Sequence, residues 1–562
     1  MVKNRNEYDY VIAGGGSAGC ALAARLAENR SISVCLVEAG GNSNNLFVRM
    51  PAGNGFIFGN PKFDWGYVSI PQTNLNGRKI YYARGKGLGG SSIVNGMIYM
   101  RGVPEDYNRW RQMGLKGWSY EDILPYFRKS QGSQNRKNSY HGQNGPLKTE
   151  PATNFGIIDK AFISAAIKSG HKYIDDFNAS ERTGISRADS TVYKGIRQSS
   201  AISYLPKKLP NLTILTNHHI ARLIFQKNRA IGIETMDGKT IYCNCETIIC
   251  QGAFGTPHLL MLSGIGPADH LKNHGINPLV NLPGVGSNLA DHIDISIQYN
   301  SSRMDLSHAQ YQRLDKSLWL MTKWLLSGKG PGSGSLFSTV LFHAFNDPKL
   351  PELEVFMTPM IIEENFGNGG FENTPLLQRL GRKFLVRGRK VALPGIQIDI
   401  NQQRPRSFGQ VRLINSNPRE YPLIDPKYLS EPEDLEELIK GVDVMREIMS
   451  QPEIAQFIND ENAPWSNAHS RTEIIEAIKN TAYTGHHPCS TAKMGADNDP
   501  MSVLDSNLKV RGIEGLRVCD ASAMPTQITG NLYATIIAIA EKAADLILEK
   551  DPLPSQFLIK DY

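Results

Sequence analysis

The sequence predicts an α/β fold: a parallel-sheet domain assembled from discontinuous stretches of chain, with a second domain inserted between them. Three observations carry this. A strand, a helix and a second strand follow one another within the first 40 residues; a glycine-rich turn sits at the first strand-to-helix junction; and the chain closes on another long apolar helix. Residues 8–13 are a continuous apolar run of the kind that forms a buried strand. Residues 17–28, with Leu22 and Leu26 on one side, predict a helix, and 32–37 a second buried strand. Residues 212–215, 223–225, 231–235 and 240–242 are short strands separated by turn signals such as Asp237-Gly238, and 247–250 is a further buried strand. Residues 433–449 carry Leu435, Leu438, Ile439, Val442 and Met445 at helical spacing, and 533–549 form the terminal helix. The stretch from about 295 to 420 mixes apolar segments with Gly-, Asn- and Pro-rich loops, of which 366–370 is the clearest. The expected division is 1–155, 212–295 and 505–562 for the first domain, and 156–211 with 296–504 for the second.

Composition removes several classes. The 562 residues are 41% hydrophobic and 20% charged, the balance of a folded globular chain. A net charge of +7 over that length is too dilute for a nucleic-acid binder. No apolar run reaches the ~18 residues of a membrane span, and no signal-peptide pattern opens the chain. Seven cysteines are too few for a disulfide framework, so a cytoplasmic location is expected. Cys243-x-Cys245 lacks the spacing of common zinc sites, and no metal is expected.

Gly14-Gly15-Gly16-Ser17-Ala18-Gly19 is a G-x-G-x-x-G that follows a strand and opens a helix, the context a Rossmann-like dinucleotide site requires. Gly14 permits the tight turn, Gly16 lets a pyrophosphate approach the backbone, and Gly19 lets helix and strand pack closely. The helix N-terminus then offers N–H groups to phosphate. Glu38, at the end of the second strand, suits a carboxylate that accepts from ribose hydroxyls. This fingerprint does not separate FAD from NAD.

Further motifs narrow the choice. Residues 84–97 (RGKGLGGSSIVNGM) are too glycine-dense for a helix interior and read as backbone laid against a large flat ligand. Residues 252–266 follow the strand ending at Cys250; 283–292 read PGVGSNLADH; 486–495 contain His486, His487 and Pro488; and Asp520-Ala521 leads to Gly530-Asn531-Leu532. In this order and spacing, over residues 8–548, they resemble the glucose–methanol–choline (GMC) family of flavin oxidoreductases, in its choline- or alcohol-dehydrogenase-like branch. The resemblance implies FAD, and a second domain of α+β type with an antiparallel sheet that roofs the flavin. It places FAD against Gly14, Gly16, Ser17, Ala18 and Gly19, then Glu38 and Ala39. From the 84–97 stretch it adds Gly85, Gly89, Gly90, Ser91, Asn95, Gly96 and Met97. Ile220, Gly252, Ala253, Asp520, Ala521, Asn531 and Leu532 complete the set. Some members attach FAD through a histidine just before the asparagine of the 84–97 motif. Here that residue is Val94, so non-covalent FAD is expected.

The implied activity is oxidation of an alcohol to an aldehyde or ketone by hydride transfer to flavin, with oxygen, a quinone or another carrier as the final acceptor. A lyase that keeps FAD is the rival reading. Such a reaction needs a base at the hydroxyl and a donor to its oxygen. The resemblance puts His487 in the first role and Asn531 in the second. Two alternatives stand: His486 is the histidine that faces the substrate, or Asn531 caps the terminal helix. His218, His219 and His292 read as structural. Arg379, Arg382, Lys383, Arg387, Arg389 and Lys390 are interleaved with apolar residues, and read either as a solvated surface segment or as a patch for peripheral contact with anionic lipid.

Overall fold

The computed structural model describes residues 6–205, 209–362 and 394–556. Its first sheet runs Leu212–Thr216, Val34–Glu38, Glu7–Ala13, Thr240–Ile249, Arg229–Thr235, Ile220–Gln226, with Leu516–Val518 also paired to Thr240–Ile249. The pairings of the first four strands and of Leu516–Val518 are parallel; the two added by Arg229–Thr235 and Ile220–Gln226 are antiparallel. The expected strands at 240–242 and 247–250 are one ten-residue strand. Its polar middle, which read as a break, is carried through by an extra residue opposite Tyr8 and Tyr10 and by Glu246, whose carboxylate takes two bonds from Arg517 at 2.6 and 3.1 Å.

The helix Ser17–Leu26 packs against this sheet, and the terminal helix Tyr533–Ile547 packs against that helix. Nearly every side chain of the terminal helix is buried, including Glu541. A buried carboxylate needs partners, and Glu541 has them: Arg25 through Nε and Nη2 and the Tyr204 hydroxyl, each at 2.8 Å.

The second sheet is antiparallel throughout, in the order Tyr483–Thr484, Ile293–Asn300, Gly395–Gln402, Leu353–Thr358, Thr339–His343, Gly184–Arg187. Ile293–Asn300 lies wholly in this sheet, and the expected boundary at 295 falls within that strand. The central strands alternate strictly. Ile293, Ile295, Ile297, Ile396, Ile398 and Ile400 face an apolar core shared with Leu438, Val442 and Met445 of the helix Pro432–Met449. Gly441 permits that close approach, since a Cβ there would stand 2.9 Å from Leu353 Cδ1. The opposite face presents Asp294, Ser296, Gln298, Gln397, Asp399 and Asn401 toward the first domain. Burying a polar row is costly unless it is hydrogen-bonded; most of this row is bonded within itself, and all six residues line a cavity. No helix among the described residues is long and apolar enough to cross a membrane. The basic run 379–390 and the loop 366–370 lie outside the described residues.

Candidate active site

One cavity of about 990 Å³ lies between the two sheets. Its walls include every residue the sequence assigned to cofactor or catalysis except Gly19 and Gly89. Those two act at one remove. A Cβ on Gly19 would stand 2.0 Å from the Gly14 carbonyl oxygen, so this glycine sets helix-to-strand packing. Gly89, at φ +100°, donates to the Gly15 carbonyl at 2.8 Å and so ties the second glycine-rich loop to the first. Gly90 packs against Gly16 in the same junction.

Glu38 holds these loops together. Its Oε2 accepts from Gly15 N at 2.9 Å, and its Oε1 accepts from Gly40 N at 2.8 Å and Gly87 N at 3.1 Å. Burial pushes its carboxyl up, and these three donors pull it back. The helix Ser17–Leu26 begins at the cavity with no side-chain cap and no acidic residue in its first turn, which leaves its N-terminal dipole open to an anion. The terminal helix also starts at the cavity uncapped. Its N-cap position is Leu532, so Asn531 does not cap it. Asp520 lines the wall, but its carboxylate is engaged by protein: Oδ2 by Gly252 N and Thr256 Oγ1, Oδ1 by Ser522 N and Oγ. Asn95 is held by Arg197, which donates to its side-chain and main-chain oxygens at 2.8 Å.

In the wall of the same cavity Asn531 Nδ2 stands 3.1 Å from His487 Nε2. The opposite ring nitrogen, His487 Nδ1, is 2.9 Å from His292 Nδ1, and His292 Nε2 is 3.1 Å from the Ile528 carbonyl oxygen. Proton positions follow from one fixed acceptor. A carbonyl only accepts, so His292 Nε2 carries hydrogen and, in the neutral ring, Nδ1 does not. His487 Nδ1 must then donate to it, which leaves His487 Nε2 bare and facing Asn531. Both rings are neutral: burial pushes His292 down to about 3 and holds His487 well below the ordinary histidine range, with His292, Arg84 and His486 adding to the latter.

The backbone of this site is pinned by Asp291. Its Oδ1 accepts from His487 N at 2.8 Å, while Oδ2 accepts from the Thr484 and Tyr428 hydroxyls. Burial pushes Asp291 up to about 6. His486 also lines the cavity, but with a left-handed backbone at φ +62° and its ring against Phe58, and Asn531 does not reach it. Sequence reasoning missed His292, which read as structural. It also missed the acidic wall of the second sheet, where Asp399 Oδ1 accepts from Ser296, from Gln397 Nε2 at 2.7 Å and from Tyr483 OH at 2.9 Å. Asp294 takes one bond from Asn401 at 3.3 Å, and its other oxygen is buried without a partner. The alternation of polar residues, one of them an aspartate in each stretch, with isoleucine along 293–298 and 396–401 is the signal that could have found this wall.

The family model for GMC oxidoreductases matches residues 8–294 in its N-terminal part and 405–540 in its C-terminal part. The chain belongs to the GMC oxidoreductase family. Curated relatives of this GMC oxidoreductase include the oxygen-dependent choline dehydrogenase of Vibrio vulnificus, 35% identical over 98% of this chain and 96% of that one. The protein of the same description from Pectobacterium atrosepticum is 37% identical, with the same coverage. Among solved structures, pyridoxine 4-oxidase from Mesorbium loti superposes with a TM-score of 0.82 at 28% identity, over 97% of this chain and all of that one. A formate oxidase variant from Aspergillus oryzae superposes at 0.85 with 25% identity, over 98% and 99%. This GMC oxidoreductase is thus an FAD-dependent enzyme acting on CH–OH donors. The residues present fit that cofactor: glycine-rich loops packed backbone to backbone, where a Cβ on Gly14 would collide with the Cys250 carbonyl and one on Gly90 with Gly16 Cα, and two uncapped helix N-termini at one cavity.

Proposed function

We propose that this GMC oxidoreductase oxidises an alcohol bearing a positively charged nitrogen, a choline-type substrate, to its aldehyde, with non-covalent FAD and His487 as base. FAD, when bound, supplies the acceptor for the hydride. His487 Nε2 takes the hydroxyl proton, because the bond from His487 Nδ1 to His292 keeps Nε2 bare. Asn531 donates to the same oxygen and steadies it as the proton leaves; an amide cannot itself act as the base. Val94, buried at the position where some members carry a linking histidine, offers no atom for a covalent bond to FAD. FAD is placed on 1–155, 212–292 and 505–562, and the substrate wall on the remainder.

The acidic face of the second sheet carries the substrate reading. Asp294 and Asp399 line the same cavity as His487, and burial raises both carboxyls, Asp294 further because of Asp399 beside it. A cation between them would restore their ionisation and relieve that cost. The choline dehydrogenase relatives agree with a cationic alcohol and with oxygen as an acceptor.

The test is anaerobic reduction of the bound flavin by choline and by its neutral isostere 3,3-dimethylbutan-1-ol. Choline should reduce the flavin at lower concentration, and Asp399→Asn should raise the concentration needed for choline while leaving the neutral alcohol unaffected. Equal behaviour of the two alcohols refutes the charge reading. Failure of every primary alcohol to bleach the flavin refutes oxidation.

A further inference from the structure

The helix Leu314–Ser327 has three faces where an ordinary surface helix has two. Its buried face seats Leu320 and Trp324 against Met50, and Trp324 Nε1 donates to the Gly195 carbonyl at 2.6 Å. That face also reaches the cavity: Ser317, Leu320 and Met321 are part of its wall. The opposite face is in solvent and carries four large apolar side chains, with the smaller polar Thr322 and, in the first turn, Asp315 among them. Leu318 is 57% exposed, Trp319 48%, Leu325 57% and Leu326 84%. At ~100° per residue these four fall within an arc of about 120°, and Lys316 and Lys323 come next around the helix.

A solvated face on a globular protein is normally polar, and a cluster of exposed large apolar side chains of this kind marks an interaction surface. Its chemistry points to one partner. The helix is ~21 Å long, too short to span a hydrocarbon core of ~30 Å, so it would lie flat. Trp319 is half-exposed, with Lys323 Nζ 4.8 Å from its ring centre, the pairing of an amphipathic aromatic with a lysine that can snorkel to a headgroup. Lys329 is exposed just beyond the end of the helix. The one acid of the helix, Asp315, is bonded to Arg313 at 3.1 Å, which leaves the ridge net positive. The whole chain is net +7. A second copy meeting this face about a twofold axis would bring the same lysine ridge toward itself; an anionic surface would not.

We propose that Leu314–Ser327 is an interfacial helix that docks the enzyme on an anionic bilayer, with Leu318, Trp319, Leu325 and Leu326 entering the headgroup boundary and Lys316 and Lys323 on its phosphates. Docking there puts one wall of the cavity at the lipid surface. The assignment is independent of which alcohol the enzyme oxidises.

The test is co-sedimentation of the FAD-loaded enzyme with vesicles of phosphatidylglycerol and phosphatidylcholine, against vesicles of phosphatidylcholine alone. Binding to the anionic vesicles is expected, weakened by salt, and at least tenfold weaker for the Leu318→Glu/Leu326→Glu variant. Both side chains are exposed and neither lines the cavity, so flavin content and alcohol-driven flavin reduction in solution should be unchanged and report a folded variant. Lys316→Gln/Lys323→Gln should lose most of the preference for anionic lipid. The proposal is overturned if the unaltered enzyme ignores anionic vesicles, if it binds neutral ones equally, or if the glutamate variant binds undiminished. It is overturned in favour of self-association if the unaltered enzyme is a dimer in solution and the glutamate variant a monomer.

Discussion

His292 Nδ1 accepts a hydrogen bond from His487 Nδ1 at 2.9 Å, so one histidine sets the tautomer of the other. The chain from the Ile528 carbonyl through two neutral imidazoles ends on a bare Nε2 at the cavity. His292 sets the orientation of the base, while its strength is set by burial together with His292, Arg84 and His486.

His487→Ala should slow anaerobic flavin reduction by ~10²–10⁴-fold, the range for a lost general base. Asn531→Ala should cost ~10²–10³-fold, as a lost donor to a developing oxyanion does, and Asn531→His should retain part of the rate. FAD should stay bound in all three. His486→Ala is the control. If it is crippled while His487→Ala is near normal, the assignment of the two histidines is reversed.

His292→Phe removes the acceptor and leaves the His487 tautomer unspecified. Flavin reduction should fall at least ~10-fold and at most ~10⁴-fold, the cost of a wrong tautomer in a comparable arrangement. His292 also lowers the His487 pKa, so its loss should raise that pKa and move the acid limb of the rate profile to higher pH. His292→Gln, which can accept from one side and donate to the other, should restore part of the rate. A purely packing role would leave the pH profile in place.

Glu38→Gln should be nearly as damaging as Glu38→Ala. Both carboxylate oxygens accept main-chain N–H groups, and an amide NH₂ turned toward Gly15, or toward Gly40 and Gly87, sets donor against donor. The expected result is faster FAD loss on gel filtration and a lower Tm for the apoprotein. A lower affinity for FAD with an unchanged apoprotein Tm would confine Glu38 to the ligand.

Glu354 is fully buried, and burial pushes its carboxyl up to about 8, with Arg182 countering only in part. Its folded-state pKa is raised, so its contribution to stability is complete below the ordinary carboxylate pKa of 4.5 and is lost as pH rises toward 8. The slope it imposes is at most about 1.4 kcal/mol per pH unit. Glu354→Gln should therefore flatten the fall of Tm between pH 5 and 8. Parallel curves for the two proteins would show that Glu354 ionises freely.

The first domain was legible because its chemistry is local. The Gly14–Gly19 turn, the flanking strands and the helix they open lie in one stretch, and each glycine has a backbone reason that a reader of the sequence can reconstruct. The second domain was legible only through family resemblance. Its sheet draws strands from 184 to 484, and the alternation in 293–298 and 396–401 puts acids where a core reading expects apolar side chains. His292 escaped notice for a related reason. Its partner His487 is 195 residues away, and nothing in the text of the chain brings the two together.

The strict alternation of the second sheet separates two kinds of heritable change. On Ile293–Asn300 and Gly395–Gln402, one parity of positions holds the isoleucine core and the other parity lines the cavity. Exchanging Ser296, Gln298, Gln397 or Asp399 remodels what the cavity accepts while the layer that keeps the sheet folded is untouched. A scaffold built in this way can pass from one alcohol to another by single replacements without crossing an unstable intermediate. Libraries confined to those four positions should yield folded, flavin-retaining enzymes at a higher frequency than libraries drawn from their isoleucine neighbours.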